Sequence, residues 1–446
     1  SERSDHSEKD EDISLDFKKI STFAKNNAKW IIPLILIFLA IGFSTYFRMM
    51  PSYLPATDNW AEDTVYNHYR SQLAQQINQQ YPNLPQQNRD LLLDKELQNF
   101  LVENKDMLKQ QVEATSQQYK AQLQDDDGQT YLLAIDPYLW FAEARNYVKY
   151  GEFGDPVNEE GERVFSLRNG RYGREPPQIL FHPLAMAWIY KIFNPITKIS
   201  LLRVSFLMPV LIIGLALIPA FFIGRRVSGN IGGFFAALLI ALNGALLGRT
   251  PAGFSDTDAY NILFPLLIAW LFLLSYKEKD FKKTIIYAAL AGLVSGVYAT
   301  AWLGFWYVVD FIIITGVGLV LLKLTMEIRK GHKVSQLLKS KVVKSISSST
   351  LAYILSSAVF ISIFVGFERF IFLFQAPLRT IQLKSVAVTT LWPNVLTTVA
   401  EFNESSLSTI VDQMGGNLFF WIALMGIVGL LLNKKIDKIN SYYMLG

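Results

Sequence analysis

The sequence contains no cysteine. This absence excludes disulfide bonds, thiolate nucleophiles and thiolate metal sites. Charge is also scarce, because charged residues make up only 18% of the chain and the formal net charge is +4 at pH 7. The basic residues cluster between apolar segments, so no nucleic-acid partner is expected. The first apolar run, near Trp30, follows an acidic polar tail without a small-residue cleavage site, so no cleavable signal peptide is expected.

Long apolar runs dominate the chain, and 51% of its residues are hydrophobic. Runs of roughly 17–25 apolar residues have the length needed to cross a bilayer. The sequence therefore predicts an all-α polytopic membrane protein. The eight predicted spans are 30–47, 200–224, 229–248, 259–276, 284–300, 302–322, 347–367 and 417–432.

Basic residues predict the orientation of these spans. They cluster before the first span, after 200–224, at 277–283, at 323–344 and after the last span, which all fall on one side if every span crosses. By the positive-inside tendency this side is cytoplasmic. We expect a cytoplasmic tail at 1–29, a multi-pass protein of the cell membrane, and external loops at 48–199, 249–258 and 368–416. Residues 200–446 are then the multi-span membrane domain.

The external segment 52–130 is polar and reads as a helical insert. Its apolar residues recur with a spacing near 3.6, which predicts an amphipathic helix. These residues are Leu97, Leu101, Leu108, Val112, Tyr119 and Leu123. The insert is interpreted as an appendage packed on itself or on the membrane domain, with a partner-binding arm as the alternative.

Acidic residues recur in the external loops. Asp256 and Asp258 follow Arg249 in the sequence Arg-Thr-Pro-Ala-Gly-Phe-Ser-Asp-Thr-Asp, and two carboxylates one residue apart can both turn toward Mg²⁺ or Mn²⁺. Such pairs are also common as solvated turn residues. Asp136 precedes a proline, which suits an ordinary helix N-cap. Glu401 lies in Thr-Val-Ala-Glu, where a surface position is the plainer interpretation.

Taken in order, these three motifs resemble those of the catalytic subunit of oligosaccharyltransferase, most closely the archaeal single-subunit form. The resemblance covers roughly residues 131–446 and leaves out the insert. It implies a GT-C type glycosyltransferase with large external loops. It also implies transfer of a glycan from a dolichol-linked phosphate or pyrophosphate to the asparagine of an Asn-x-Ser/Thr sequon, with inversion of the sugar.

The resemblance also implies roles for individual residues. Asp136, Asp256 and Asp258 are expected to bind Mn²⁺ or Mg²⁺, and Asp136 and Glu401 to hold the acceptor amide. Arg249 is expected to steady the acidic cluster or the donor phosphate. His182 and Trp302 fall where archaeal relatives contact the lipid phosphate, although a His before Pro is often structural and a Trp between spans is often an interfacial anchor. The implied partners are a lipid-linked oligosaccharide, an acceptor protein with a sequon, and membrane lipid.

The chain departs from the family in several ways. It has no Trp-Trp-Asp motif, no arginine after Glu401, and eight predicted spans where the family has thirteen. Archaeal relatives often have histidine where Asp258 stands. The chain also lacks an initiator methionine and stops just after a basic segment, so we expect a processed or truncated form with the transmembrane part and no C-terminal soluble domain.

Two other functions compete with this interpretation. One is a metal-independent lipid-phosphate-sugar transferase of the same superfamily, for instance for mannose or aminoarabinose, which needs neither the Asp-x-Asp pair nor the Thr-x-x-Glu loop. The other is a transporter or assembly scaffold. Transporters are expected to place charges near the middle of the bilayer, and Asp310 is the one acidic residue within a predicted span.

Overall fold

The computed structural model describes residues 25–156, 162–166, 175–176, 179–329, 340–387 and 405–432. Within these ranges the chain is almost entirely helical, apart from a two-stranded antiparallel sheet. The strands are β1 (Asp155–Pro156) and β2 (Arg163–Val164). The helices are α1 (Ala28–Arg48), α2 (Ala56–Gln80), α3 (Gln86–Glu103), α4 (Lys105–Gln122), α5 (Ile135–Tyr150), α6 (Phe181–Thr197), α7 (Leu201–Leu242), α8 (Gly244–Arg249), α9 (Tyr260–Lys277), α10 (Phe281–Ala301), α11 (Trp306–Ile328), α12 (Lys341–Val365), α13 (Phe367–Ala387), α14 (Leu407–Gln413) and α15 (Asn417–Leu432).

Six helical segments in the described part of the chain are long and apolar enough to cross a membrane. The longest, α7, is broken where Ser228 and Gly229 leave the helical conformation, and Gly229 adopts a φ of 65°. The two halves fold back on each other, because a Cβ on Gly233 would lie 2.6 Å from the carbonyl oxygen of Phe221. Thus α7 supplies two of the eight predicted spans.

The last predicted span, 417–432, coincides with α15, which meets α14 at a bend of 91°. The other five predicted spans each fall on one helical segment of the described chain. The segment 368–416, predicted as an external loop, holds the helix α13 over its first part. Residues 388–404, which include Glu401, lie outside the described residues.

The insert forms three helices, α2 to α4, and not one amphipathic helix. The apolar series from Leu97 to Leu123 is interrupted at Asn104, which ends α3 and precedes α4. Polar contacts join α2 to α4: Ser116 Oγ donates to Asp58 Oδ1 at 2.5 Å, and Lys120 Nζ donates to the same oxygen at 3.0 Å. The insert therefore packs on itself, as the first of the two sequence interpretations expected.

Close packing in the membrane domain depends on small residues. A Cβ on Gly292 of α10 would lie 2.0 Å from Ser356 Oγ, and one on Gly296 would lie 2.7 Å from Phe360 Cβ. The two glycines are four residues apart and so share one helix face, which lets α10 and α12 approach closely, as small-residue pairs do in membrane helices. Tyr353 of α12, which is fully buried, adds a hydrogen bond of 2.9 Å to Ser295.

Candidate active site

The loop after α8 is held by backbone hydrogen bonds to three separate elements. Ala252 N donates to Arg48 O at 2.8 Å, and Gly253 N donates to Phe206 O at 2.8 Å. Leu133 N in turn donates to Gly253 O at 3.0 Å. The end of α1, the start of α7 and the segment before α5 therefore all meet at residues 252–253.

Gly253 is required at this meeting point. Its φ is +89°, a left-handed conformation that side chains rarely adopt, and a Cβ there would lie 2.7 Å from the ring of Phe206. Glycine thus lets the loop lie directly against α7 and turn toward the two aspartates that follow.

Asp136 lies in the first turn of α5 and is not its cap. The helix begins at Ile135 with Ala134 as the N-cap residue, and no side chain caps it. The predicted N-cap role is therefore wrong. The Asp136 side chain is exposed, at the helix end where the macrodipole favours negative charge.

Trp140 joins α5 to the Asp-x-Asp motif. It lies one turn after Asp136, so the two side chains share a face of α5. Its indole Nε1 donates to Asp256 Oδ1 at 2.8 Å, and the same oxygen accepts from Thr257 N at 2.6 Å. Together with the Leu133–Gly253 bond, this contact places the first acidic motif against the second.

Arg249 contacts the second aspartate of the pair. Its NH1 lies 3.9 Å from Asp258 Oδ2, and the two side chains are 61% and 35% exposed. An exposed pair at this distance stabilises the fold little. Its effect is to place a positive charge beside the acidic motif, on the side of Asp258.

The three aspartates supply the oxygen donors that Mg²⁺ and Mn²⁺ prefer. Yet among the described residues no three carboxylate or imidazole side chains are close enough to hold one metal ion. Carboxylate oxygens fit the predicted metal, and the two acidic motifs lie side by side. The side chains are nevertheless not placed so that three of them could bind one ion. The metal site stays a prediction, as does the role of Glu401, which is outside the described residues.

His182 has the surroundings of a structural residue. It is 1% exposed, with Nδ1 at 3.1 Å from the Tyr260 hydroxyl and Nε2 at 3.1 Å from both Oγ and O of Ser255. Burial lowers the pKa of His182 from 6.5 to about 4, against smaller opposing effects of Ser255 and Asp256. Both ring nitrogens are engaged inside the protein, so the structure gives no support to the predicted contact with a donor phosphate.

Trp302 follows α10 and lies over the turn that leads to α11. Its ring stacks on Tyr298 at 6.2 Å and meets Tyr307 edge-on at 5.7 Å. A series of ring contacts through Tyr260, Phe264 and Tyr298 connects His182 to Trp302. The predicted phosphate contact of Trp302 stays a prediction.

Arg48 supports the site, although no sequence motif indicated such a role. It is fully buried at the end of α1, where Nε donates to Thr250 Oγ1 at 3.1 Å and NH1 donates to Ala241 O at 2.7 Å. Its backbone oxygen holds Ala252 of the loop, so one residue ties α1, the end of α7 and the loop together. The sequence does show an arginine at the end of an apolar span. Such an arginine usually extends its charged group to the membrane interface, so its burial was not expected.

A family model described as "Oligosaccharyl transferase STT3, N-terminal" matches residues 109–444. The match begins within the insert, earlier than the predicted residue 131. A dolichyl-phosphooligosaccharide-protein glycotransferase of Methanococcus voltae is 31% identical over 344 residues, covering 73% of this chain and 37% of the relative. The protein of the same description from Methanocaldococcus jannaschii is 27% identical over 397 residues, covering 70% of this chain and 42% of the relative.

Among solved structures, the archaeal oligosaccharyltransferase AglB from Archaeoglobus fulgidus, in complex with an inhibitory peptide and a dolichol-phosphate, is similar with a TM-score of 0.44 and 18% identity. That likeness covers 71% of this chain and 42% of the other, and is too low to add to the family assignment. The chain spans less than half the length of these relatives. Since the family model matches well over half of its residues, the chain belongs to the STT3 oligosaccharyltransferase family, whose N-terminal part it matches.

Proposed function

We propose that the chain is the part of an oligosaccharyltransferase that binds the lipid-linked donor and a divalent metal. In this proposal the whole enzyme moves a glycan from a dolichol-linked phosphate or pyrophosphate to the asparagine of an Asn-x-Ser/Thr sequon. Family membership supports the reaction class. The observation that carries the site is the 2.8 Å bond from Trp140 to Asp256, because it joins the two acidic motifs across 116 residues of sequence.

The reaction has to overcome the weak nucleophilicity of an amide nitrogen, whose lone pair is delocalised into the carbonyl. Asp136 is exposed beside the loop and so is available to accept a hydrogen bond from the acceptor NH₂ group, a role in which Glu401 is proposed to join it. Two such bonds orient the amide and weaken its delocalisation. Attack on the anomeric carbon from the side opposite the phosphate then inverts the sugar.

Asp136, Asp256 and Asp258 are the residues proposed to hold Mn²⁺ or Mg²⁺. A bound divalent metal supplies positive charge that offsets the charge developing on the departing phosphate. Arg249 lies beside Asp258, where its guanidinium limits the repulsion between the carboxylates before the metal binds.

Binding of Mn²⁺ to the detergent-purified chain tests the site without requiring the rest of the enzyme. We expect Asp136→Ala, Asp256→Ala and Asp258→Ala each to weaken binding by roughly tenfold or more, since each removes a charged ligand. Asp94→Ala, on the insert, is the matched control and should leave the affinity unchanged. The shared site would be contradicted if only one of the three substitutions weakened Mn²⁺ binding, or if the parent chain bound no Mn²⁺.

The second candidate is the metal-independent transferase of the same superfamily. The hydrogen bonds of Asp256 and the ion pair of Asp258 favour it, because they give both carboxylates partners within the protein. Under this alternative the chain does not bind Mn²⁺. Of the three aspartate substitutions, only that of Asp136 then reduces transfer of a sugar from a lipid phosphate.

A further inference from the structure

A groove between α1, α6 and α7 is lined almost wholly by apolar side chains. It has a volume of about 520 Å³, and among the described residues that line it only Thr45 has a polar side chain. Leu211 and Leu215 of α7 line it and are each 46% exposed, so this side of the helix is not covered by the described part of the chain. Gly214 leaves room in its middle, because a Cβ there would meet only Ile41 Cγ2, at 3.8 Å.

A polar cavity of about 830 Å³ adjoins one end of this groove. The two share Met49, Ile199 and Leu207 in their walls, so they lie next to each other. Lys198 and Arg203 line the polar cavity, where Asp127 is the one acid among the described lining residues, and both cations are exposed. The cavity therefore carries an excess of positive charge at the end of α1 from which the insert departs.

We propose that the groove and the cavity together bind one anionic phospholipid of the membrane. Its phosphate lies at Lys198 and Arg203, and one hydrocarbon chain occupies the groove past Gly214. Basic pockets between membrane helices suit anionic head groups, and an apolar groove that opens on the bilayer suits an acyl chain. A soluble anion would leave the groove empty, and an apolar peptide would leave the two cations without a counter-charge.

This lipid is distinct from the glycan donor. The cavity wall includes Phe206, whose backbone oxygen holds Gly253 of the loop from the α7 side. Asp136 and Trp140 approach that loop on α5, and neither lines the cavity or the groove. The proposed lipid therefore lies behind the acidic loop and fills the space between α1 and α7 that the side chains leave open.

Native mass spectrometry of the detergent-washed full chain tests the proposal, with phosphatidylglycerol and phosphatidylcholine of the same acyl chains as probes. We expect one phosphatidylglycerol to be retained in preference to phosphatidylcholine. Replacing both cations, as Lys198→Gln with Arg203→Gln, should lower this retention by roughly tenfold or more. Arg225→Gln with Arg226→Gln, at the other end of the first half of α7, is the matched control and should retain the lipid.

A second variant tests the acyl groove. Gly214→Leu fills it and should reduce retention of both lipids, whereas Gly318→Leu on α11, where a Cβ meets nothing within 4 Å, should not. The thermal midpoint of the parent should rise with phosphatidylglycerol and stay unchanged with inorganic phosphate. Equal retention of the two lipids, unchanged retention in the cation variant, or an equal rise with inorganic phosphate would overturn the proposal.

Discussion

Trp140 and Asp256 are joined by one hydrogen bond that no local sequence pattern reveals. A tryptophan in an aromatic-rich segment of a membrane protein is typical of the membrane interface, which accounts for the ring of Trp140 but not for the partner of its N–H. The bond takes up one oxygen of Asp256, whereas the side chain of Asp136, one turn before Trp140, is exposed. At the scale of residues, the site is thus organised by a side chain that carries no charge.

We predict that Trp140→Phe lowers the free energy of unfolding by about 1.5–3 kcal/mol, the usual contribution of a hydrogen bond to a charged group. The phenyl ring keeps most of the packing and lacks the N–H. Thermal or denaturant unfolding in detergent would measure the change. In the Asp256→Ala background, which lacks the acceptor oxygen, the same substitution should cost clearly less, and equal costs in both backgrounds would show that the bond contributes nothing.

His182 should make stability depend on pH. Its pKa is lowered to about 4 in the fold from 6.5, so the unfolded chain binds the proton more tightly than the folded chain between those values. Stability is then complete above about pH 6.5 and falls as the pH drops toward 4, by about 3 kcal/mol in all. Measurement in chelator between pH 7 and about pH 4.5 should show this loss in the parent chain.

His182→Asn is expected to be less stable than the parent at pH 7 and to lose less stability on acidification. His68→Asn, on the exposed insert, is the matched control and should follow the parent. A His182→Asn variant with the same pH dependence as the parent would mean that other groups cause the acid sensitivity.

At the scale of elements, the α10–α12 contact depends on residues without side chains. We predict that Gly292→Val lowers the free energy of unfolding by about 1–3 kcal/mol or more, because the added atoms meet the backbone and Ser356 of α12. Thermal unfolding in detergent would measure this. Gly318→Val on α11 is the matched control, since a Cβ there meets nothing within 4 Å, and it should change stability little.

Apolar periodicity predicted which segments are helical but not where they break. The run from Leu97 to Leu123 keeps its spacing across Asn104, so the pattern indicated one helix where the chain forms α3 and α4. In α7 the break at Ser228–Gly229 falls between two apolar runs that the basic pair Arg225-Arg226 already separates, and there the sequence interpretation agrees with the structure.

At the scale of the whole molecule, the predicted fold class is confirmed. The chain is an all-α, multi-pass membrane protein of GT-C type, as its helical structure and its STT3 family membership show. The orientation stays a prediction: the N-terminus in the cytoplasm and the acidic loops outside. It rests on the distribution of basic residues alone.

The absence of cysteine makes this orientation directly measurable. We predict that a membrane-impermeant maleimide labels Glu113→Cys, on the insert, in intact cells. Lys279→Cys, between α9 and α10, should be labelled only after the membrane is opened. The cysteine-free parent is the control for background labelling, and the reverse pattern would invert the proposed topology.

The sequence by itself determined which segments are long and apolar enough to cross a membrane and where the acidic motifs lie along the chain. It could do so because crossing a bilayer requires a fixed length of apolar chain, and because carboxylates at its edge are conspicuous. Only the tertiary structure decided that Asp136 is not a cap, that His182 is enclosed, and that Arg48 and Trp140 hold the loop. Those roles depend on contacts between segments far apart in the chain, whose geometry no local pattern contains.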